Sequence, residues 1–209
     1  MDKTKDKTII ASSAYERTVH WILAISCLLL VLTGLLMAFR SFEPLAIILG
    51  GYKSVTIIHS ICGLFFAVTL ILAIKLWYKD AGYLDGSDIE WLKNAGGYLW
   101  NADIPEPYKY NAGQKLFFLT VAIYGVVMVI TGVLLWFKGS LNPTFMSWVV
   151  AFHALGVMII GGFSMTHIYL GTIGTEGSLD VMIGGKVSEA WAKTHMPGYY
   201  KEKIKGKKD

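Results

Sequence analysis

VHWILAISCLLLVLTGLLMAF, from Val19 to Phe39, runs for 21 residues without an Asp, Glu, Lys or Arg. At ~1.5 Å per residue a helix of that length covers about 30 Å, the hydrocarbon thickness of a bilayer. Three further stretches read the same way: Ser54 to Ile74, with the span carried to about residue 77; Leu116 to Phe137; and Met146 to Leu170, inside the uncharged run Gly139–Thr175. None alternates as a barrel strand does, so all are read as helices. The first is longer than a signal-peptide core and has no A-x-A site before Arg40, so it is read as a retained span. With 54% hydrophobic and 16% charged residues the chain falls well short of the roughly 25% charge of soluble domains. Disorder is excluded by the same figures. The predicted fold class is all-α: an integral membrane four-helix bundle, one membrane domain over residues 1–209, with a loop at 78–115 and a tail at 171–209.

Sixteen of the 19 Lys and Arg residues fall before span one, between spans two and three, or after span four. Only Arg40, Lys53 and Lys138 fall on the other side. The positive-inside rule then puts both termini and the long loop in the cytoplasm. The net charge of +4 sits in loops and tails without an aromatic-interleaved patch, which argues against nucleic acid as a partner. Cys27 and Cys62 lie in apolar runs and form no CxxC motif, so they read as small fillers. In the long loop, Ile89, Trp91, Leu92, Tyr98, Leu99 and Trp100 alternate with polar positions, predicting a short interfacial helix broken by Pro105 and Pro107. The tail from Ser178 to Tyr200 reads similarly, ahead of a basic terminus predicted to lack order. No repeat and no low-complexity tract is evident.

Four of the five His lie in spans: His20, His59, His153 and His167. His195, in the tail, reads as a solvated surface residue. A single intramembrane His reads equally well as an interhelical hydrogen bonder. Depth adds information. The topology puts His20 and His167 near the inner face and His59 and His153 near the outer face. His153 and His167 are 14 residues apart, about 21 Å along a helix and within roughly 40° of one direction. Paired neutral imidazoles on facing helices are what a six-coordinate haem iron needs. Two pairs, His59/His153 outside and His20/His167 inside, have room for two stacked b haems. Gly34, Gly63 and Gly156 are candidates to line the flat macrocycles, and Arg17 is a candidate partner for a propionate, as are Arg40 and Lys53 at the outer level. Zinc would need three or four ligands at one level, and covalent attachment would need a CxxCH that is absent.

The residues resemble the cytochrome b (gamma) subunit of membrane-bound respiratory formate dehydrogenase. The resemblance rests on R-T-V-H-W at Arg17–Trp21, I-I-H-S-I-C-G at Ile57–Gly63, K-Y-N-A-G-Q-K at Lys109–Lys115, F-H-A-L-G at Phe152–Gly156, T-H-I-Y at Thr166–Tyr169 and G-K-V-S-E-A-W-A-K-T-H-M-P at Gly185–Pro197. It implies two haem b groups on the same four His. It also implies a menaquinone site on the cytoplasmic side, at Asn111, Ala112, Gly113 and Gln114 with the second ring nitrogen of His167. On its own N-A-G-Q reads as a turn capping span three. The implied partners are an iron–sulfur beta subunit and a molybdenum or tungsten catalytic alpha subunit, with the chain a multi-pass protein of a bacterial cytoplasmic membrane. Electrons from formate would then cross inward to quinone, against an inside-negative potential at about 2.3 kcal/mol per 100 mV. Competing readings are the cytochrome b of a hydrogenase or thiosulfate reductase, a haem-free membrane anchor, and a stand-alone reductase, for which the outer loops are too short.

Overall fold

The computed structural model describes residues 7–205; Lys3, Lys5, Lys207 and Lys208 of the charge count, and the last four residues of the basic terminus, lie outside them. Among the described residues four helices are long and apolar enough to cross a membrane. They are α1 (Ala14–Ala38), α3 (Gly51–Ala81), α5 (Ala112–Trp136) and α6 (Pro143–Tyr169), the last continuing into a π-helical turn at Leu170–Gly174. A short helix α2 (Glu43–Ile48) precedes α3. Each long helix begins three to five residues before the apolar stretch does, and in α1, α5 and α6 a side-chain cap sets the start. Ser13 and Glu16 form a reciprocal capping box at α1, with Ser13 N–H donating to Glu16 Oε2 at 2.7 Å and Glu16 N–H to Ser13 Oγ at 3.1 Å. Asn142 Oδ1 accepts the Thr144 and Phe145 N–H groups at 2.9 and 3.2 Å, with Pro143 opening α6.

The chain divides into two compact units. The long-helix unit comprises Thr18–Lys75 and Thr120–Phe163, so it takes a part of each of the four long helices. Leu36, Ala46 and Val55 form its buried apolar cluster. Large side chains such as Leu64 and Phe65, 57% and 58% exposed, have lipid as their natural neighbour. Polar side chains within its helices close hydrogen bonds on their own helix: Thr69 Oγ1 donates to Phe65 O at 2.7 Å and Ser26 Oγ to Leu23 O at 3.0 Å.

The loop-and-tail unit comprises the residues up to Arg17, Leu76–Leu119 and those from Ser164 onward. It contains α4 (Gly86–Lys93), α7 (Ser178–Ile183), α8 (Glu189–His195) and α9 (Pro197–Lys205). It also adds to the helices a small two-stranded sheet that the all-α expectation did not include. β1 (Thr8–Ile10) pairs antiparallel with β2 (Lys186–Ser188), Ile9 opposite Val187, over a core of Ile9, Ala11, Val187, Ala192 and Met196. Each strand has three residues and one inward side chain, too short for an alternation to register.

The loop helix differs from expectation as well. It stops at Lys93, because Ala95, Gly96 and Gly97 adopt φ of 48°, 62° and 72°. Gly96 lies so close under the Trp91 ring that a Cβ would collide with it. The break is therefore at A-G-G, ahead of both prolines, and Tyr98–Trp100 lie outside the helix. The basic terminus continues as α9 through Lys205. His195 is partly covered: its ring stacks on Trp191 with centroids 4.3 Å apart.

Candidate functional site

In the long-helix unit, α1 turns Thr33 and Gly34 toward His59 of α3, and α5 turns Thr131 and Gly132 toward His153 of α6. Thr33 Oγ1 lies 2.6 Å from Leu29 O and 2.8 Å from His59 Nδ1. A carbonyl only accepts, so the single hydroxyl proton goes to Leu29 O and the hydroxyl oxygen accepts Nδ1–H from His59. The same arrangement recurs on the other helix pair: Thr131 Oγ1 donates to Val127 O at 2.7 Å and accepts from His153 Nδ1 at 2.8 Å. Both threonines are buried, 1% and 7% exposed, so water does not compete for these contacts. Each imidazole thus places a proton on Nδ1, which in the neutral ring leaves Nε2 as the nitrogen able to ligate a metal.

The two rings have centroids 6.5 Å apart and are tilted by 58°. Two iron–nitrogen bonds of about 2.0 Å, with ~1.1 Å from each nitrogen to its ring centre, give about 6.2 Å. The spacing therefore fits one iron between two imidazoles. Glycine lies at the edge of each ring: a Cβ on Gly34 would sit 3.6 Å from His59 Cε1, and one on Gly132 3.5 Å from His153 Cε1. The other two glycines read as macrocycle-facing behave differently. Gly63 opens toward Leu30, and Gly156 receives the Met128 side chain, which a Cβ would strike. Among the described residues no three His, Cys, Asp or Glu side chains gather as a metal-ion site.

Thr33, Thr131 and Gly132 are the residues that sequence reasoning missed. A signal was present: V-L-T-G-L-L at Val31–Leu36 returns as V-I-T-G-V-L at Val129–Leu134. This short repeat places a Thr-Gly pair on the first helix of each hairpin, opposite a His on the second.

The remaining predicted residues divide between the units. His20, in the long-helix unit, meets Trp21 edge to face at 5.3 Å. His167, in the loop-and-tail unit, stacks on Phe117 of α5, with centroids 4.2 Å apart and planes 8° from parallel. Arg17 Nη1 donates to Ser12 O at 3.0 Å, and its guanidinium occupies the space that a Cβ on Gly185 would need.

Asn111, Ala112, Gly113 and Gln114 form the N-terminus of α5. Asn111 N–H donates to Gln114 Oε1 at 3.0 Å and Gln114 N–H to Asn111 Oδ1 at 2.9 Å, a reciprocal capping box. The box uses the side-chain oxygens and leaves each amide NH2 as the group to offer a ligand. Trp91 of α4 covers this turn, its ring 3.1 Å from where a Gly113 Cβ would stand. Lys115 Nζ to Asp88 Oδ2, at 2.6 Å, fastens α4 to α5, with the two side chains 12% and 7% exposed. Lys109 Nζ lies 3.7 Å from Glu16 Oε1 and 3.8 Å from Asp80 Oδ2. Burial is the largest influence on Lys109 and acts to lower its pKa, but Tyr110, Glu16 and Asp80 outweigh it and raise the pKa above the usual lysine value.

Four apolar helices with an imidazole pair at iron-spanning distance fit a membrane cytochrome of the b type. The chain belongs to the prokaryotic cytochrome b561 family, whose model matches residues 11–185. Membership, with four apolar helices, makes it a multi-pass protein of the bacterial inner membrane. It is 32% identical over 200 residues to the cytochrome b556(fdo) subunit of formate dehydrogenase from Escherichia coli K12, covering 93% of each chain. It is 29% identical over 214 residues to the cytochrome b556(Fdn) subunit of the nitrate-inducible formate dehydrogenase of the same strain, covering 99% of this chain and 97% of that one. A formate dehydrogenase cytochrome b556 subunit from Haemophilus influenzae is 28% identical over 210 residues, with 98% and 87% covered.

Proposed function

We propose that this chain is the di-haem membrane subunit of a formate dehydrogenase complex, delivering electrons from an iron–sulfur partner outside the membrane to menaquinone at the cytoplasmic side. The observation that carries the reading is the His59/His153 pair, each ring fixed by a threonine with Nε2 left to ligate. Its likeness to three formate dehydrogenase subunits over nearly the whole chain supports formate as the electron source. His59 and His153 would hold one b haem, and His20 and His167 the second, with Arg17 beside a propionate. Bound there, haem supplies reversible one-electron redox chemistry within an apolar bundle.

The chain's own residues do the rest. Thr33 and Thr131 hold the ring tautomers, and the apolar side chains of the spans exclude water. At the cytoplasmic end, the NH2 groups of Asn111 and Gln114 donate to a quinone carbonyl, Gly113 lets the ring approach the backbone, and Trp91 walls the turn. Lys109, held between Glu16 and Asp80, fixes the loop that leads two residues on into this turn. Protons come from the aqueous phase that this loop faces. A catalytic alpha subunit with molybdenum or tungsten would oxidise formate outside the membrane.

The family is broader than formate dehydrogenase, which keeps a hydrogenase or thiosulfate reductase cytochrome as the second reading. Purifying the native complex and adding formate or hydrogen under anaerobic conditions separates them. Formate is expected to produce the reduced b-type α-band; reduction by hydrogen alone contradicts the assignment. A preparation with no α-band leaves only the membrane-anchor reading.

A further inference from the structure

We infer that Thr33 and Thr131 are positioning residues that set the donor strength and ring orientation of His59 and His153, and through them the redox poise of the group those imidazoles hold. The inference rests on the reading that one haem lies between His59 and His153. It is carried by geometry that appears twice. On each side a buried hydroxyl is polarised by a carbonyl four residues earlier, at 2.6 or 2.7 Å, and accepts the Nδ1 proton at 2.8 Å. A chain of two hydrogen bonds strengthens both members. An imidazole that gives its Nδ1 proton to an acceptor is the more basic ligand at Nε2. Greater basicity favours the oxidised iron, so the threonines pull the midpoint potential down.

Back-bonding alone does not explain these threonines. Thr69 is just as buried, at 5% exposed, and back-bonds to Phe65 O at 2.7 Å in the same unit, without a histidine in its hydrogen bonds. It serves as an internal control. The duplicated V-x-T-G-x-L stretch puts the device on both helix pairs, so the two ligands are matched in donor strength.

The test uses the purified complex with Thr33→Val, Thr131→Val, the two corresponding serine variants, and Thr69→Val. Haem content, a potentiometric titration of the α-band and low-temperature electron paramagnetic resonance are measured on each. Each valine variant at 33 or 131 is expected to keep two haems and to move one midpoint positive. A change of about threefold in the oxidised-to-reduced ratio, about 28 mV for a one-electron couple, is the expected size. The resonance of that haem should shift as its ligand ring turns, while the serine variants and Thr69→Val match the parent. Loss of the haem in a valine variant but not in its serine counterpart also supports the inference. The inference is overturned if neither midpoint nor resonance moves, if Thr69→Val moves them equally, if both haems shift alike, or if serine and valine variants lose haem equally. The underlying reading fails separately, if His59→Ala keeps both haems.

Discussion

Around His59 and His153 the polar groups are two threonine hydroxyls, each bonded to its own helix and to one imidazole. Around Asn111–Gln114 they are a capping box, a buried ion pair between Lys115 and Asp88, and a lysine placed between two carboxylates. The difference follows the solvent. In hydrocarbon every polar group must close its bonds within the protein, and charge is expensive, so a ligand pair is best fixed by neutral groups of little volume. Where the chain meets water, charges stay hydrated until they pair, and protons are at hand. A transmembrane electron carrier needs both settings: a dry, rigid station for metal, and a wet one where electrons and protons meet.

The largest expected effect breaks the dry station outright. His59→Ala or His153→Ala should remove one haem, halving the α-band amplitude in a reduced-minus-oxidised spectrum and abolishing formate-driven quinone reduction. His20→Ala or His167→Ala should abolish quinone reduction too, yet leave the outer haem reducible by formate; loss of that signal would show that the pairing is wrong. At the wet station, Asp88→Ala removes the close partner of Lys115 and leaves it only Asp85 at 3.9 Å; the loss should cost about 2 kcal/mol, read as a lower melting temperature of the detergent-solubilised complex with its haem spectrum unchanged. Because Lys115 and Asp88 share one contact, Lys115→Met added to Asp88→Ala should cost less than the sum of the two. The smallest effect belongs to Asn111→Ala, which removes a cap at about 1 kcal/mol and one donor. A several-fold rise in KM for a soluble menaquinone analogue, with little change in kcat, is expected.

The sequence makes the four spans legible for one reason. Length without charge and depth along a helix are one-dimensional quantities that counting recovers. Thr33 and Thr131 were hidden because a threonine in an apolar helix ordinarily bonds only to its own backbone, as Thr69 does. Which helix faces its hydroxyl is a matter of packing. The repeated T-G pair was the available clue, at six residues too short to stand out in a hydropathy reading. The N-A-G-Q segment on its own reads as a turn capping span three, and the structure has that capping box; the role toward quinone proposed for it depends on neighbours that spacing does not reveal. The β1–β2 pair brings residues 8–10 and 186–188 together from opposite ends of the chain, and three-residue strands carry no periodic signal. The end of α4 depends on the positive φ angles at Ala95–Gly97, which the downstream Pro105 and Pro107 do not signal.

A pyridine haemochrome determination on the purified complex, referred to the amount of this chain, addresses the central claim most directly. Two b haems per polypeptide is the predicted result. One haem, or none, would contradict the assignment of two histidine pairs.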